Sequence, residues 1–309
     1  MPFGIATAPE EYQRRQHEVL EGFPGIHVIA DDILITGQGE TQEEALRDHD
    51  RNLVALLQRA REVNLKLNPK KLKLRLNEVP YIGHLLTPDG VKPDPEKVRA
   101  VQDMPRPDGR NRAEKVKAHV QRFLGFVNYL AKFVPHLADE SEHLRRLTDK
   151  DAEWVWEKHH QDAFDRIKKL VANHPVLCYY DISKPVSIQC DSSETGLGAA
   201  LLQDGQPVAF ASRTLTPTER GYAQIEKECL AIVFLCDRFN QYIYGRKSVD
   251  VQSDHKPLEA IFGKPLTAAP KRLQGMLLRL QKYNLKVRYK KGTEMFIADT
   301  LSRAPLPDV

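Results

Sequence analysis

Apolar and polar positions alternate in three distinct textures along this chain. Up to about residue 90, strand-like apolar runs at Ile26–Ile35 and Val79–Leu86 flank a charged stretch, Thr41–Asn64, with helical spacing. That is an α/β pattern. Pro93, Pro95, Pro105 and Pro107 then mark a boundary, and the segments near Ala113–Phe133, Ser141–Leu147 and Lys158–Ala172 carry helical periodicity. From Pro185 the texture changes to three strand-like runs, Val186–Cys190, Gly198–Gln203 and Val208–Ser212, with Asp204-Gly205 as a tight hairpin turn. Thr216-Pro217-Thr218-Glu219 has the form of a capping box with proline at the first helical position. It predicts one long helix running to about Tyr244. A strand (Val249–Ser253), a helix (Lys271–Lys282), a strand (Leu285–Tyr289) and a short helix (Phe296–Arg303) complete the pattern. The expected domains are therefore 1–90, 91–175 and 176–309.

Composition narrows the picture only a little. The 309 residues are 41% hydrophobic and 28% charged, within the globular range, so the chain can bury a substantial core. A net charge of +4 favours phosphate contact only mildly. Cys178, Cys190, Cys229 and Cys236 form no CxxC pair, which argues against a zinc knuckle and for reduced thiols. No stretch approaches the roughly 20 apolar residues of a membrane span, and no signal pattern follows Met1. The expectation is a soluble, intracellular protein with no membrane partner, cytoplasmic and nuclear sites being equally open.

The candidate chemistry lies in acidic residues set among apolar ones. In Val186–Asp191 the alternation directs Asp191 to the face opposite Val186 and Ile188. Asp254 ends the next predicted strand, Glu226 and Glu228 lie in an apolar helix, and Asp299 lies between Ile297 and Leu301. An aspartate at a strand end ordinarily forms a turn or caps a helix, so none of these acids is convincing singly. Together they suggest more. Buried ionised carboxylates are unfavourable by several kcal/mol each unless paired or bound to metal, and clustering raises their pKa values. Hard Mg²⁺ takes oxygen ligands, and a pair of such ions serves phosphodiester cleavage. Periodicity does not choose between Glu226 and Glu228, because the helix is apolar nearly all round.

At these residues the chain resembles the Gypsy-type long-terminal-repeat retroelement polyproteins, over almost its whole length. Gln189–Ser193 with Gly196–Gln203, Ala209–Leu215, Glu226-Lys227-Glu228, Ser253–Leu258 and Ile297–Arg303 look like successive blocks of that family's ribonuclease H. The resemblance implies a mixed five-stranded sheet with flanking helices. It also implies a quartet of Asp191, Glu228, Asp254 and Asp299 that is both catalytic and metal-binding, selecting Glu228 over Glu226. Two Mg²⁺ ions are the implied cofactor, with Mn²⁺ as the alternative. Where many ribonucleases H carry a histidine before the last helix, this chain has Lys290-Lys291-Gly292.

Upstream, Met1–Gly4, Ala8-Pro9 and Gln13 resemble a reverse transcriptase segment, and Val28–Leu34 resembles the palm's catalytic hairpin with Asp31 and Asp32. Leu67–Lys71 and Tyr81–His84 resemble the following palm blocks. The segment to about Ala172 corresponds to a thumb, with 108–119 longer than the family's usual connection. Ile29 replaces the usual tyrosine, and the family's first polymerase aspartate lies upstream of the Pro-Phe-Gly block at which this chain starts. The expectation is a truncated palm with a vestigial site and no independent polymerase activity.

The expected function is metal-dependent cleavage of the RNA strand of RNA–DNA hybrids. Lys271, Arg272, Lys290 and Lys291, within a locally basic C-terminal part, are candidate contacts for the hybrid's phosphates, although basic helix faces are often simply solvated. Trp154 and Trp156 fit core packing better than base stacking, and His159-His160 fits a surface role. The alternative is a catalytically silent hybrid-binding or structural subunit, paired with a full-length reverse transcriptase.

Overall fold

The computed structural model describes residues 5–107, 113–149 and 151–295, with the side chains of 113–115 left aside. The chain forms two compact units, Met1–Pro88 and Asp89 onward. In the first, helix α1 (Ala8–Leu20) precedes a hairpin of β1 (Ile26–Ile29) and β2 (Asp32–Ile35), then α2 (Gln42–Glu62), β3 (Val79–Tyr81) and β4 (His84–Thr87). The hairpin register pairs Ile29 with Asp32. Thr41 and Glu44 cap α2 reciprocally, at the start of the stretch whose helical spacing the sequence shows. Leu20, Val28 and Leu56 form its small core.

The second unit opens with β5 (Gly90–Pro93), α3 (Pro95–Gln102), α4 (Ala113–Tyr129), α5 (Leu137–Arg146) and α6 (Lys158–Ala172). The strands β6 (Ser187–Ser192), β7 (Gly196–Gln203) and β8 (Gln206–Thr214) follow. Next come α7 (Pro217–Arg220), α8 (Gln224–Arg238), α9 (Asn240–Ile243), β9 (Val249–Ser253), α10 (Lys256–Phe262), α11 (Lys271–Leu280) and β10 (Leu285–Tyr289). Five strands make one mixed sheet in the order β10-β9-β6-β7-β8. β6 runs parallel to β9 and antiparallel to β7. Asp204 and Gly205, both at positive φ, close the β7–β8 hairpin as their sequence predicts.

Both faces of the sheet are covered. Val186, Ile188, Cys190, Leu197, Ala199 and Leu201 face α8 and α11, while Ala200, Leu202 and Phe210 pack against α4, α5 and α6. That two-faced burial explains why β7 has every residue buried and reads as a continuous apolar run. Burying a side chain such as Ile188 or Ile232, both fully enclosed, stabilises by roughly 1.5–3 kcal/mol.

Several expectations are corrected. The Thr216 capping box forms, but it starts only the four-residue α7. The chain turns at Gly221, α8 begins at Gln224, and Phe239 separates it from α9. Apolar residues all round carry no period mark at which a helix must break. Helices α1, α3 and α10 were not legible as apolar stripes, being short or mostly polar; proline and aspartate at their starts were the available signals. His160 is buried, and its Nδ1 accepts from the Glu157 amide, so it caps α6 instead of serving the surface. Trp154 and Trp156 stack at 5.9 Å against the helical core.

Candidate metal centre

The C-terminal ends of β6 and β9 and the N-terminal part of α8 meet at one end of the sheet. The parallel register of β6 and β9 sets Cys190 beside Ser253, so the next residues, Asp191 and Asp254, emerge as neighbours. Helix α8 crosses β6 and delivers Glu228, 1% exposed, to the same place. One carboxylate oxygen from each of Asp191, Glu228 and Asp254 lies within 4.8 Å of the others. Among the described residues this is the one such grouping. Asp299 lies outside the described residues.

Glu228 is held by three donors. Ser192 Oγ donates to Oε1 at 2.6 Å, Gln224 Nε2 donates to the same oxygen at 2.9 Å, and Ser253 Oγ donates to Oε2 at 3.5 Å. These bonds favour its charged form, yet burial outweighs them, and with the charges of Asp191 and Asp254 it pushes the carboxyl up to about 7. Burial and the Asp254 charge likewise raise Asp191. Among the described residues no Lys or Arg forms an ion pair with the three acids. Glu226, two residues earlier, turns away to pair with Arg272 at 2.6 Å.

The surrounding shell comes from distant parts of the chain. The Lys290 amide donates to Ser253 O at 3.0 Å, and a Cβ on Gly292 would come within 3.2 Å of Asp254 Oδ2. The Lys290-Lys291-Gly292 loop therefore borders the cluster. Lys271 and Lys291 are exposed and Lys290 half-buried. Arg272, by contrast, is engaged: besides its ion pair with Glu226 it lies 4.2 Å over the Tyr222 ring. On the other flank, Asp139 of α5 accepts from Ser193 Oγ at 2.7 Å and from Thr195 Oγ1 at 2.9 Å, in the turn that follows Asp191. Gln224 stands four residues before Glu228, a helical spacing that sequence could have flagged. For Asp139 and its neighbour His136, more than fifty residues before Asp191, no sequence signal existed.

In the first unit, Asp31 and Asp32 are exposed at the turn of the β1–β2 hairpin, with Ala30 at positive φ. No third described acid groups with them. Among the described residues no helix is long and apolar enough to cross a membrane.

Comparison with known proteins agrees with the fold. The family described as reverse transcriptase (RNA-dependent DNA polymerase) matches residues 1–86, and that described as an RNase H-like domain found in reverse transcriptase matches residues 156–251. The retrovirus-related Pol polyprotein from transposon 297 of Drosophila melanogaster is 34% identical over 100% of this chain and 28% of its own length. That from transposon gypsy of the same organism is 31% identical over 99% of this chain and 30% of its own. The Tf2-3 transposon polyprotein of Schizosaccharomyces pombe is 30% identical over 98% of this chain and 22% of its own. The chain thus spans about a quarter of the length of these relatives. Among solved structures, foamy viral protease-reverse transcriptase in complex with RNA/DNA hybrid superposes with a TM-score of 0.77 at 22% identity, over 94% of this chain and 39% of that one. Its complex with dsDNA gives 0.76 at 22% identity, over 100% and 61%. At that identity the likeness shows the fold.

Proposed function

We propose that this chain, which carries reverse transcriptase and RNase H-like domains of the long-terminal-repeat Pol type, cuts the RNA strand of RNA–DNA hybrids at its acidic cluster. The observation that supports this most is the convergence of Asp191, Glu228 and Asp254 to within 4.8 Å. All three donors are hard carboxylate oxygens, the set that suits Mg²⁺, or Mn²⁺ in its place. Repulsion and burial hold Glu228 near 7, and a divalent cation would remove both penalties. Asp191, Glu228 and Asp254 would hold the metal, with Asp299 proposed as the fourth ligand. When bound, a pair of such ions activates water and neutralises charge at the scissile phosphate.

The chain's own side chains supply the rest. Ser192, Gln224 and Ser253 fix the Glu228 carboxylate in one orientation. Lys290 and Lys291 on one border, with Lys271 beyond, offer positive charge to a phosphate backbone. Recognition of a hybrid would depend on helix shape and 2′-hydroxyls, with no base sequence read. Asp31 and Asp32 have no third described carboxylate to help hold two metals for nucleotidyl transfer, so sustained primer extension by the purified chain is not expected.

The test is a labelled hybrid incubated with the purified chain, with Mg²⁺, with Mn²⁺ and with chelator. Metal-dependent loss of the RNA strand is expected, with duplex DNA intact and cleavage abolished in Asp191→Asn. Undiminished cleavage by that variant would refute the site. A second reading is favoured by one observation: Leu72, Leu74 and Leu76 of the first unit are each about half exposed, as surface awaiting a partner would be. Hybrid binding without cleavage under every metal condition would select that reading, a silent subunit paired with a full-length reverse transcriptase.

A further inference from the structure

We propose that His136, fixed by Asp139, is a positioning residue for Asp191, supplied to the acidic cluster by the helical segment and not by the sheet. The inference rests on the reading of that cluster as a metal centre.

Cross-strand register makes the first link. Asp191 of β6 lies directly opposite Gly198 of β7, and directly opposed residues project to the same face of a sheet, about 5 Å apart. Gly198 has no side chain. The His136 imidazole occupies that space, with Cε1 at 2.9 Å and Nδ1 at 3.0 Å from where a Cβ would stand. The ring therefore lies beside the Asp191 side chain, and its charge is among those that act on Asp191.

Two further observations point to a purpose. His136 takes a left-handed backbone, φ 51° and ψ 22°, immediately before α5, a conformation that most side chains avoid. Its Nδ1 faces Asp139 Oδ2 at 3.8 Å, and Asp139 is itself anchored by Ser193 and Thr195. The other nitrogen, Nε2, is buried and has no hydrogen-bond partner among the described residues. A buried orphan polar atom is uncommon. An imidazole that faces a carboxylate on one nitrogen and flanks a metal-ligating acid is the arrangement by which a surrounding shell orients a ligand. In the loaded site Nε2–H would donate a hydrogen bond to the Asp191 carboxylate and hold it in its ligating orientation.

Two measurements decide this, one without metal. Histidine NMR on the metal-free chain should show the His136 imidazole resonances moving in Asp191→Asn and in Asp139→Asn; unmoved resonances in Asp191→Asn would overturn the proposal whatever the chain does with metal. Calorimetric Mg²⁺ titration should show His136→Asn binding at least about tenfold more weakly than the parent. Asparagine tolerates the left-handed backbone, so its metal-free melting temperature should stay close to the parent's. Hybrid cleavage by this variant should recover at high Mg²⁺ with KM for the hybrid unchanged, a split that a merely structural defect would not produce. Equal Mg²⁺ affinity in parent and variant would also overturn it. If the parent itself binds neither Mg²⁺ nor Mn²⁺, the metal reading falls, and the NMR result still decides whether His136 and Asp191 are coupled.

Discussion

Among single side chains, Glu228 carries a pH signature that can be measured without substrate. Its carboxyl ionises near 4.5 in an unfolded chain and at about 7 in the fold. A raised carboxyl means that the folded state holds the extra proton between those values, so the metal-free protein loses stability as pH rises through that window. The loss is on the order of 3 kcal/mol. Urea unfolding at pH 5 and pH 8 should show this loss in the parent and a much flatter response in Glu228→Gln; identical slopes would mean that Glu228 ionises normally. Mg²⁺ should restore stability at pH 8 and have less effect at pH 5, where Glu228 is protonated. Asp191→Asn should lower hybrid cleavage by more than the roughly 10- to 100-fold typical of residues that only support a metal ligand.

Elements show how local chemistry is overridden or used. The box at Thr216 is satisfied, Glu219 also taking a forked pair of bonds from Arg213, yet the helix it starts ends after Arg220, and a separate helix, α8, carries Glu228. The close approach of α5 to β7 is possible because Gly196 lacks a side chain: a methyl group there would collide with Asp139 Oδ1. Gly196→Ala should therefore destabilise by about 1–3 kcal/mol, as overpacking does, and thermal denaturation would reveal it. An unchanged midpoint would show that α5 yields without penalty. In the loop after β10, replacing Lys290 and Lys291 by alanine should weaken hybrid binding and shrink its log–log salt slope by about one for each phosphate no longer neutralised. A slope unaffected by both changes would remove this loop from the interface.

For the whole molecule, two compact units with separate cores predict two unfolding transitions instead of one. Mg²⁺ should raise only the transition that belongs to the unit bearing Asp191, and differential scanning calorimetry would expose a shift in both as a contradiction. Much of this architecture was legible in the residues themselves. Period-two alternation marked β6 and β9, short apolar runs marked β7 and β8, the helical period marked α2 and α6, and Asp204-Gly205 marked the hairpin, because each signal is carried by neighbours in sequence. The acids were visible as carboxylates in apolar surroundings, but periodicity left Glu226 and Glu228 equivalent. Tertiary packing separated them, since the angle at which α8 crosses the sheet sends one toward Asp191 and the other to Arg272. The sequence by itself determined the element types and the hard-oxygen donors. Only the three-dimensional arrangement decided which donors meet, that Ser192, Gln224 and Ser253 hold Glu228, and that His136 and Asp139 of a distant helical segment stand beside Asp191. The reason is physical: local periodicity reports which face of an element is buried, while convergence depends on register, crossing angle and missing side chains at glycine, which no single segment encodes.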